Sequence, residues 1–271
     1  MAKSIDLITL LEISLSSGKE IMAVYGKKLA VETKADESPL TIADQRSHQV
    51  IESGLKSAYP NIPVLSEEGS EILYKERKNW KQFWLVDPLD GTKEFIQQNG
   101  EFTVNIALIE RNYPVLGAIY VPATDVFYYG RENGGAYKVE GASAVKFENA
   151  EALRENSIRL SVRKAAEKIW VVTSRSHISA ETEDFIERLK DGGKPVERVS
   201  AGSSLKFCLV AEGQADYYPR FAPTMEWDTA AGQAIVEAAG GTVRSAKDQR
   251  RFAYNRESLK NDWFLASGQT E

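Results

Sequence analysis

Residues 84–92 read Trp-Leu-Val-Asp-Pro-Leu-Asp-Gly-Thr and set two carboxylates, Asp87 and Asp90, close together behind an apolar run. Trp84, Leu85 and Val86 have the character of a buried strand, so the acids stand where that strand ends. Open sheets bind ligands at the carboxyl ends of their strands, which makes this a place for chemistry. Like charges so close disfavour each other's ionisation unless a cation lies between them. Pro88 fixes its own φ and has no N–H, so the turn is stiff and the Leu89 carbonyl can face the same way as the acids. Such an all-oxygen set suits Mg2+ in preference to Zn2+. Thr92 can cap a short helix that begins with Lys93. A plain Asp-rich turn with Asp90-Gly91 at its corner accounts for the same residues without a ligand. The rest of the chain has to decide between the two.

Acids recur at other element ends. Val64-Leu65 reads as a short buried strand, and Ser66-Glu67-Glu68-Gly69 leaves it, so Glu67 or Glu68 could complete an oxygen cage with Asp87 and Asp90. Glu226-Trp227-Asp228 opens a helix that runs to Ala239, and Asp228 can serve as its cap. Thr41 and Asp44 resemble a capping box for a helix reaching about Ala58. Asp36, in the polar stretch before Pro39, has no such local role.

The elements that must position these acids divide the chain in two. Apolar residues at Ile5, Ile8, Leu11, Leu15, Ile21 and Val24 give a helical stripe. Residues 71–81 are highly charged and read as solvated. Strands follow over 101–109, 113–122, 126–129 and 135–139, which suggests an antiparallel sheet. Residues 140–160 are polar and read as irregular, so the boundary between an N-terminal α+β subdomain (1–153) and a C-terminal α/β subdomain (154–271) falls there. Beyond it, strands over 169–173, 196–199, 215–219, 242–244 and 263–266 alternate with helices over 180–189, 202–212 and 226–239. Arg220 lies just past the third of these strands, and Ser203 and Lys206 are spaced to face one cleft from a single helix.

Composition removes several classes of function. Of the 271 residues 42% are hydrophobic and 27% charged, as in ordinary globular proteins, and the net charge is −5. An acidic balance argues against a nucleic-acid surface. Cys208 alone permits no internal disulfide and points to a reducing compartment. It sits in an apolar run, as filler and not as a nucleophile. With only His48 and His177, a His-rich metal site is excluded. No signal peptide and no membrane span is expected. The sequence leaves open peripheral attachment to the inner face of the cell membrane, and also the oligomeric state.

The order of the pieces is more specific than any one of them. It runs Asp36-x-Ser-Pro-x-Thr-x-x-Asp44, Ser-Glu67-Glu68-Gly, Asp87-Pro-Leu-Asp90-Gly-Thr92, then Glu226-Trp227-Asp228-Thr-Ala-Ala-Gly. This resembles the inositol monophosphatase superfamily of metal-dependent, lithium-sensitive phosphatases over nearly the whole chain. Within it, residues 34–39, 84–95 and 202–213 are similar to the bacterial 3′(2′),5′-bisphosphate nucleotidases. The resemblance implies an α/β fold layered α/β/α/β/α, with the site between two subdomains. It implies a cytoplasmic phosphatase that converts adenosine 3′,5′-bisphosphate to AMP and phosphate, recycling a by-product of sulfate assimilation. The matching phosphosulfate is a second expected substrate, and an inositol or sugar phosphatase is the alternative.

The resemblance also assigns roles. Glu67, Asp87, the Leu89 carbonyl, Asp90 and Asp228 would hold two or three Mg2+ ions. Asp36, Asp44 and Thr92 would hold and deprotonate the attacking water. The N–H groups of Gly91 and Thr92 would touch the scissile phosphate, with Glu67, Leu89, Asp90 and Asp228 close to the substrate. His177, Ser203, Lys206 and Arg220 match positions that bind the nucleotide or its second phosphate. Glu226 departs from the nucleotidase pattern, in which an apolar residue is common, and so bears on the choice of substrate.

Overall fold

The computed structural model describes residues 5–26, 32–33, 39–40, 42–163, 167–175 and 178–268. Asp36, Thr41 and His177 lie outside them. Apolar residues on consecutive positions of a strand point to opposite faces, so a strand apolar throughout must be covered on both sides. The strand β4 (Gln82–Asp90) shows this: Phe83 and Leu85 enter one hydrophobic core, Trp84 and Val86 the other. The first core meets the helix α8 (Glu226–Ala238) through Ala230, Ala231 and Ile235. The second meets α1 (Leu7–Val24) and α2 (Ile42–Ala58) through Leu10, Ile21, Ile51 and Leu55.

The first sheet has seven strands in chain order: β3 (Val64–Ser66), β4, β5 (Thr103–Glu110), β6 (Tyr113–Val121), β7 (Val126–Arg131), β8 (Gly135–Glu140) and β9 (Ile158–Leu160). Only β3 and β4 pair in parallel; the others form an antiparallel meander. That one parallel pair brings the carboxyl ends of both strands, and their acids, to the same edge. A two-residue ribbon, β1 (Glu32–Thr33) with β2 (Pro39–Leu40), precedes α2.

The second sheet takes the order β11-β10-β12-β14-β13, from β10 (Ile169–Thr173), β11 (Val196–Ser200), β12 (Tyr217–Arg220), β13 (Thr242–Ser245) and β14 (Phe264–Ser267). The helix α7 (Leu205–Ala211) and α8 lie between the sheets, and α6 (Ala180–Asp191) covers the outer face of the second. The layers are therefore α/β/α/β/α, as the resemblance implies. Close approach of α8 to the first sheet needs glycine: a Cβ on Gly130 would stand 2.7 Å from the Ile235 Cα.

Some readings need correction. Residues 140–160 are not irregular, because α5 (Ala150–Glu155) is capped by the Asn149 side chain and β9 adds the seventh strand. The charged stretch 71–81 is not wholly solvated. Its short helix α3 (Tyr74–Arg77) carries Arg77, only 2% exposed, which donates to Asn255 Oδ1 and to the carbonyls of Arg256 and Glu257. Arg220 is the last residue of β12 and not beyond it, because the pairing with β14 extends to Phe264. No helix among the described residues is long and apolar enough to cross a membrane.

Candidate active site

The end of β4 is bent. Its pairing with β5 slips between Asp87, opposite Asn105, and Asp90, opposite Thr103. Within the bulge the Leu89 N–H donates to Asp87 Oδ1 at 3.1 Å. Gly91 follows at φ +89, a left-handed conformation suited to glycine, and α4 (Thr92–Ile96) begins directly after it. Thr92 is thus the first residue of the helix and not its cap. Its hydroxyl faces back to the Leu89 carbonyl at 3.5 Å, too long for a strong bond, so it stays available to another partner.

Beside this bulge, Glu67 N–H donates to the Val86 carbonyl at 3.1 Å, one step past the end of β3, which sets Glu67 next to Asp87. Asp228 is the third residue of α8 and not its cap. Its Oδ2 reaches back to the N–H of Met225 at 2.8 Å, as an acid in that position does. Glu67, Asp87 and Asp228 each present a carboxylate oxygen, all within 4.8 Å of one another, so Glu67 is the member of its pair that joins. Asp90 stands aside from this trio and accepts from Ser204 Oγ at 2.8 Å.

This crowding carries an electrostatic cost. Burial, then the charges of Glu67, Asp90, Asp228 and Asp44, push the Asp87 carboxyl well above the usual carboxylate range. Asp228 is pushed up well too, by burial first and then by Asp90. Three acids so placed repel one another in a desolvated corner, and oxygen donors alone are what a hard divalent cation takes. The residues fit Mg2+. Asp44 is buried on α2 and belongs to the same group through its charge on Asp87.

Two adjoining cavities meet at Asp90, Gly91 and Asp228. The smaller, about 420 Å³, is lined by Glu67, Asp87, Leu89, Gly91, Thr92 and Asp228 among others. The larger, about 530 Å³, is lined by Ser203, Lys206, Arg220 and Arg175, and shares Asp90, Gly91 and Asp228 with the first. Ser203 and Lys206 do share this cleft, though not through one helix: α7 starts at Leu205, and Ser203 precedes it at φ +48. Lys206 is 6% exposed, and its Nζ donates to the carbonyls of Ser203 at 2.7 Å and Ala201 at 3.3 Å. Burial pulls its pKa down to about 8 against the opposing pull of Asp90, with Arg220 adding to the fall. Arg220 donates to Ser174 Oγ at 3.0 Å and to the Pro223 carbonyl at 3.3 Å. Glu101 ties the mouth together by pairing with Arg175 and accepting from the Gly202 N–H at 2.8 Å.

Two features escaped the sequence reading. Ser204 Oγ takes a hydrogen bond from Asn105 Nδ2 and has both Asp90 Oδ2 and the Asp228 carbonyl at 2.8 Å, so it joins β5, β4 and α8. Its only signal was its place beside Ser203. Glu226 is fully buried and faces away from both cavities, accepting from the N–H groups of Asn255 and Arg256 and from Arg256 Nε. It anchors the start of α8 and does not read a substrate, so the departure it makes from the nucleotidase pattern carries no weight for specificity.

Comparison with known proteins agrees with this geometry. The family model described as "Inositol monophosphatase family" matches residues 6–268. A 3′(2′),5′-bisphosphate nucleotidase CysQ of Escherichia coli is 45% identical over 261 residues, spanning 94% of this chain and 97% of that protein. The crystal structure of CysQ from Bacteroides thetaiotaomicron, described as a bacterial member of the inositol monophosphatase family, superposes with a TM-score of 0.88 at 46% identity, covering 97% of both chains. An inositol monophosphatase from Thermotoga maritima shares the fold at a TM-score of 0.73 and 23% identity, covering 96% of this chain and 90% of that one. With these matches spanning nearly its full length, the chain belongs to the inositol monophosphatase family.

Proposed function

We propose that this chain is a Mg2+-dependent 3′(2′),5′-bisphosphate nucleotidase. It removes the 3′-phosphate of adenosine 3′,5′-bisphosphate to give AMP and phosphate, with the corresponding phosphosulfate as a further substrate. The observation that carries this reading is the pairing of two cavities across Asp90, Gly91 and Asp228, one whose charged lining is mainly carboxylate and the other made the more cationic by Arg175, Lys206 and Arg220. A substrate with two phosphates needs both: a place where one phosphate reacts and a place where the other is held. The likeness to CysQ proteins over 94% of the chain supports the same substrate class.

Glu67, Asp87, Asp90, Asp228 and the Leu89 carbonyl would hold two or three Mg2+ ions. When bound, the metal would acidify a water and neutralise the phosphate oxygens in an in-line displacement. The chain's own groups do the rest. Thr92 Oγ1 and the carboxylate of Asp44, joined by Asp36, orient the water and take its proton. The N–H groups of Gly91 and Thr92 face the scissile phosphate. Lys206 and Arg220, with Ser203 and His177, hold the second phosphate or the nucleoside. The buried thiol of Cys208 suits action in the cytoplasm.

Side-by-side assay of adenosine 3′,5′-bisphosphate and inositol 1-phosphate tests the substrate. The bisphosphate is expected to turn over with the higher kcat/KM; faster hydrolysis of inositol 1-phosphate would overturn the assignment.

A further inference from the structure

One face of α2 bears Asp44, Ser47 and His48, spaced three and four residues apart so that they point the same way. Asp44 belongs to the acid cluster through its charge. The other two side chains touch the turns that carry Asp87 and Glu67. Ser47, fully buried, donates from Oγ to the Pro88 carbonyl at 2.6 Å. Ser17 Oγ lies 2.7 Å from Ser47 Oγ. A hydroxyl has one hydrogen, and Ser47 spends it on Pro88, so Ser17 is the donor within that pair. His48 Nδ1 meets Ser66 Oγ, immediately before Glu67, at 2.9 Å.

The bond to Pro88 falls on a decisive peptide group. Its oxygen is held by Ser47, and its N–H, that of Leu89, is held by Asp87 Oδ1. A peptide plane is rigid, so fixing both ends leaves it one orientation. That orientation determines which Asp87 oxygen stays free and how the Leu89 carbonyl enters the turn.

We propose that Ser47 and His48 are positioning residues that set the spacing of the two acid turns, β3–Glu67 and Asp87–Asp90, for a divalent cation. The inference rests on the metal-centre reading above and adds to it the α2 face as the device that fixes the geometry. Supporting groups behind metal ligands govern affinity in this way, typically by a factor of about ten to a hundred.

The test is calorimetric titration of Mg2+ into the metal-stripped, full-length protein and its variants. Ser47→Ala is expected to weaken Mg2+ binding about tenfold, the ratio that 1.4 kcal/mol corresponds to. Ser17→Ala removes a hydroxyl from the same buried relay but keeps the bond to Pro88, so its loss of affinity should be well below that of Ser47→Ala. His48→Leu should also weaken binding, and His48→Asn, which can return a nitrogen to the Nδ1 position, should restore it. If Ser47→Ala fails to fold, the His48 pair carries the test. Equal affinity in wild type, Ser47→Ala and His48→Leu would overturn the proposal, as would equal losses in Ser47→Ala and Ser17→Ala. Absence of Mg2+ binding by the wild type would instead overturn the metal-centre reading on which it rests.

Discussion

The two cavities share a wall and differ in how they are made. The acid cavity draws its groups from the ends of regular elements: Glu67 after β3, Asp87 within β4, Asp228 in the first turn of α8. Each carboxylate is set by backbone pairing or by a helix start. The cationic cavity is built around residues 201–206, a turn that needs an outside hand to hold its shape. Glu101 holds Gly202, Thr103 meets Ser203 Oγ at 2.7 Å, and Lys206 bonds the carbonyls of its own turn. The difference separates two jobs. On the proposed function, chemistry on the phosphate falls to carboxylates set by regular elements, and holding of the second phosphate falls largely to a turn tied down from outside.

This contrast makes graded predictions. Asp87→Asn should abolish the acid side for every substrate alike. A loss in kcat of about a thousand-fold, the scale of removing a group that stabilises developing charge, is expected with both adenosine 3′,5′-bisphosphate and a simple monophosphate. A loss confined to the bisphosphate would erase the division of labour.

Arg220→Met should act only on the cationic side. A charge-assisted contact contributes about 1.5–3 kcal/mol, so KM for the bisphosphate is expected to rise roughly ten- to a hundredfold. Turnover of inositol 1-phosphate should change little, and an equal effect on both substrates would merge the two cavities into one.

The pH profile gives a smaller effect. With a pKa near 8, Lys206 loses its charge as pH rises through that value, so KM for the bisphosphate should climb between pH 7 and 9 by up to about tenfold while kcat holds. The stability linkage has the opposite sense. A lysine whose folded pKa lies below its usual 10.5 disfavours folding at pH below about 8, and this cost is relieved as pH rises from there towards 10.5. A flat KM across this range would remove Lys206 from substrate binding.

Gly202→Ala is the mildest probe. Its Cβ would lie 2.7 Å from Glu94 Cγ and 3.0 Å from Glu101 Cβ, so the loop must shift. Crowding of this kind costs about 1 kcal/mol or more. A modest rise in KM with kcat preserved, and a lowered Tm by calorimetry, is the expected outcome.

The same division explains what was legible in the sequence. Asp87, Asp90 and Glu67 could be found because strands announce themselves by apolar runs, and an acid where the run stops has few other reasons to be there. Both cores could be foreseen from β4, whose residues are apolar at every position from Phe83 to Val86. Asp228 was found as a candidate ligand with a helix cap as the alternative; the cap is excluded only by structure, since a cap and a third-position acid share one composition and differ in which N–H they meet. The helix start at Thr92 was misplaced by one residue because the Thr92 side chain suits the cap, a position that Gly91 takes instead. Ser47 and Ser204 as supports of the site, and Glu226 as the anchor of α8, were illegible. Their partners, Pro88, Asn105 and Arg256, stand 41, 99 and 30 positions away, and no local pattern marks such pairings.

The central claim is that the crowded carboxylates are held together for a divalent cation. Phosphate release from adenosine 3′,5′-bisphosphate, followed as Mg2+ is titrated into chelator-stripped protein, tests it most directly. The account predicts no release above background without metal and a saturable rise as Mg2+ is restored. Full activity in the presence of chelator would contradict it.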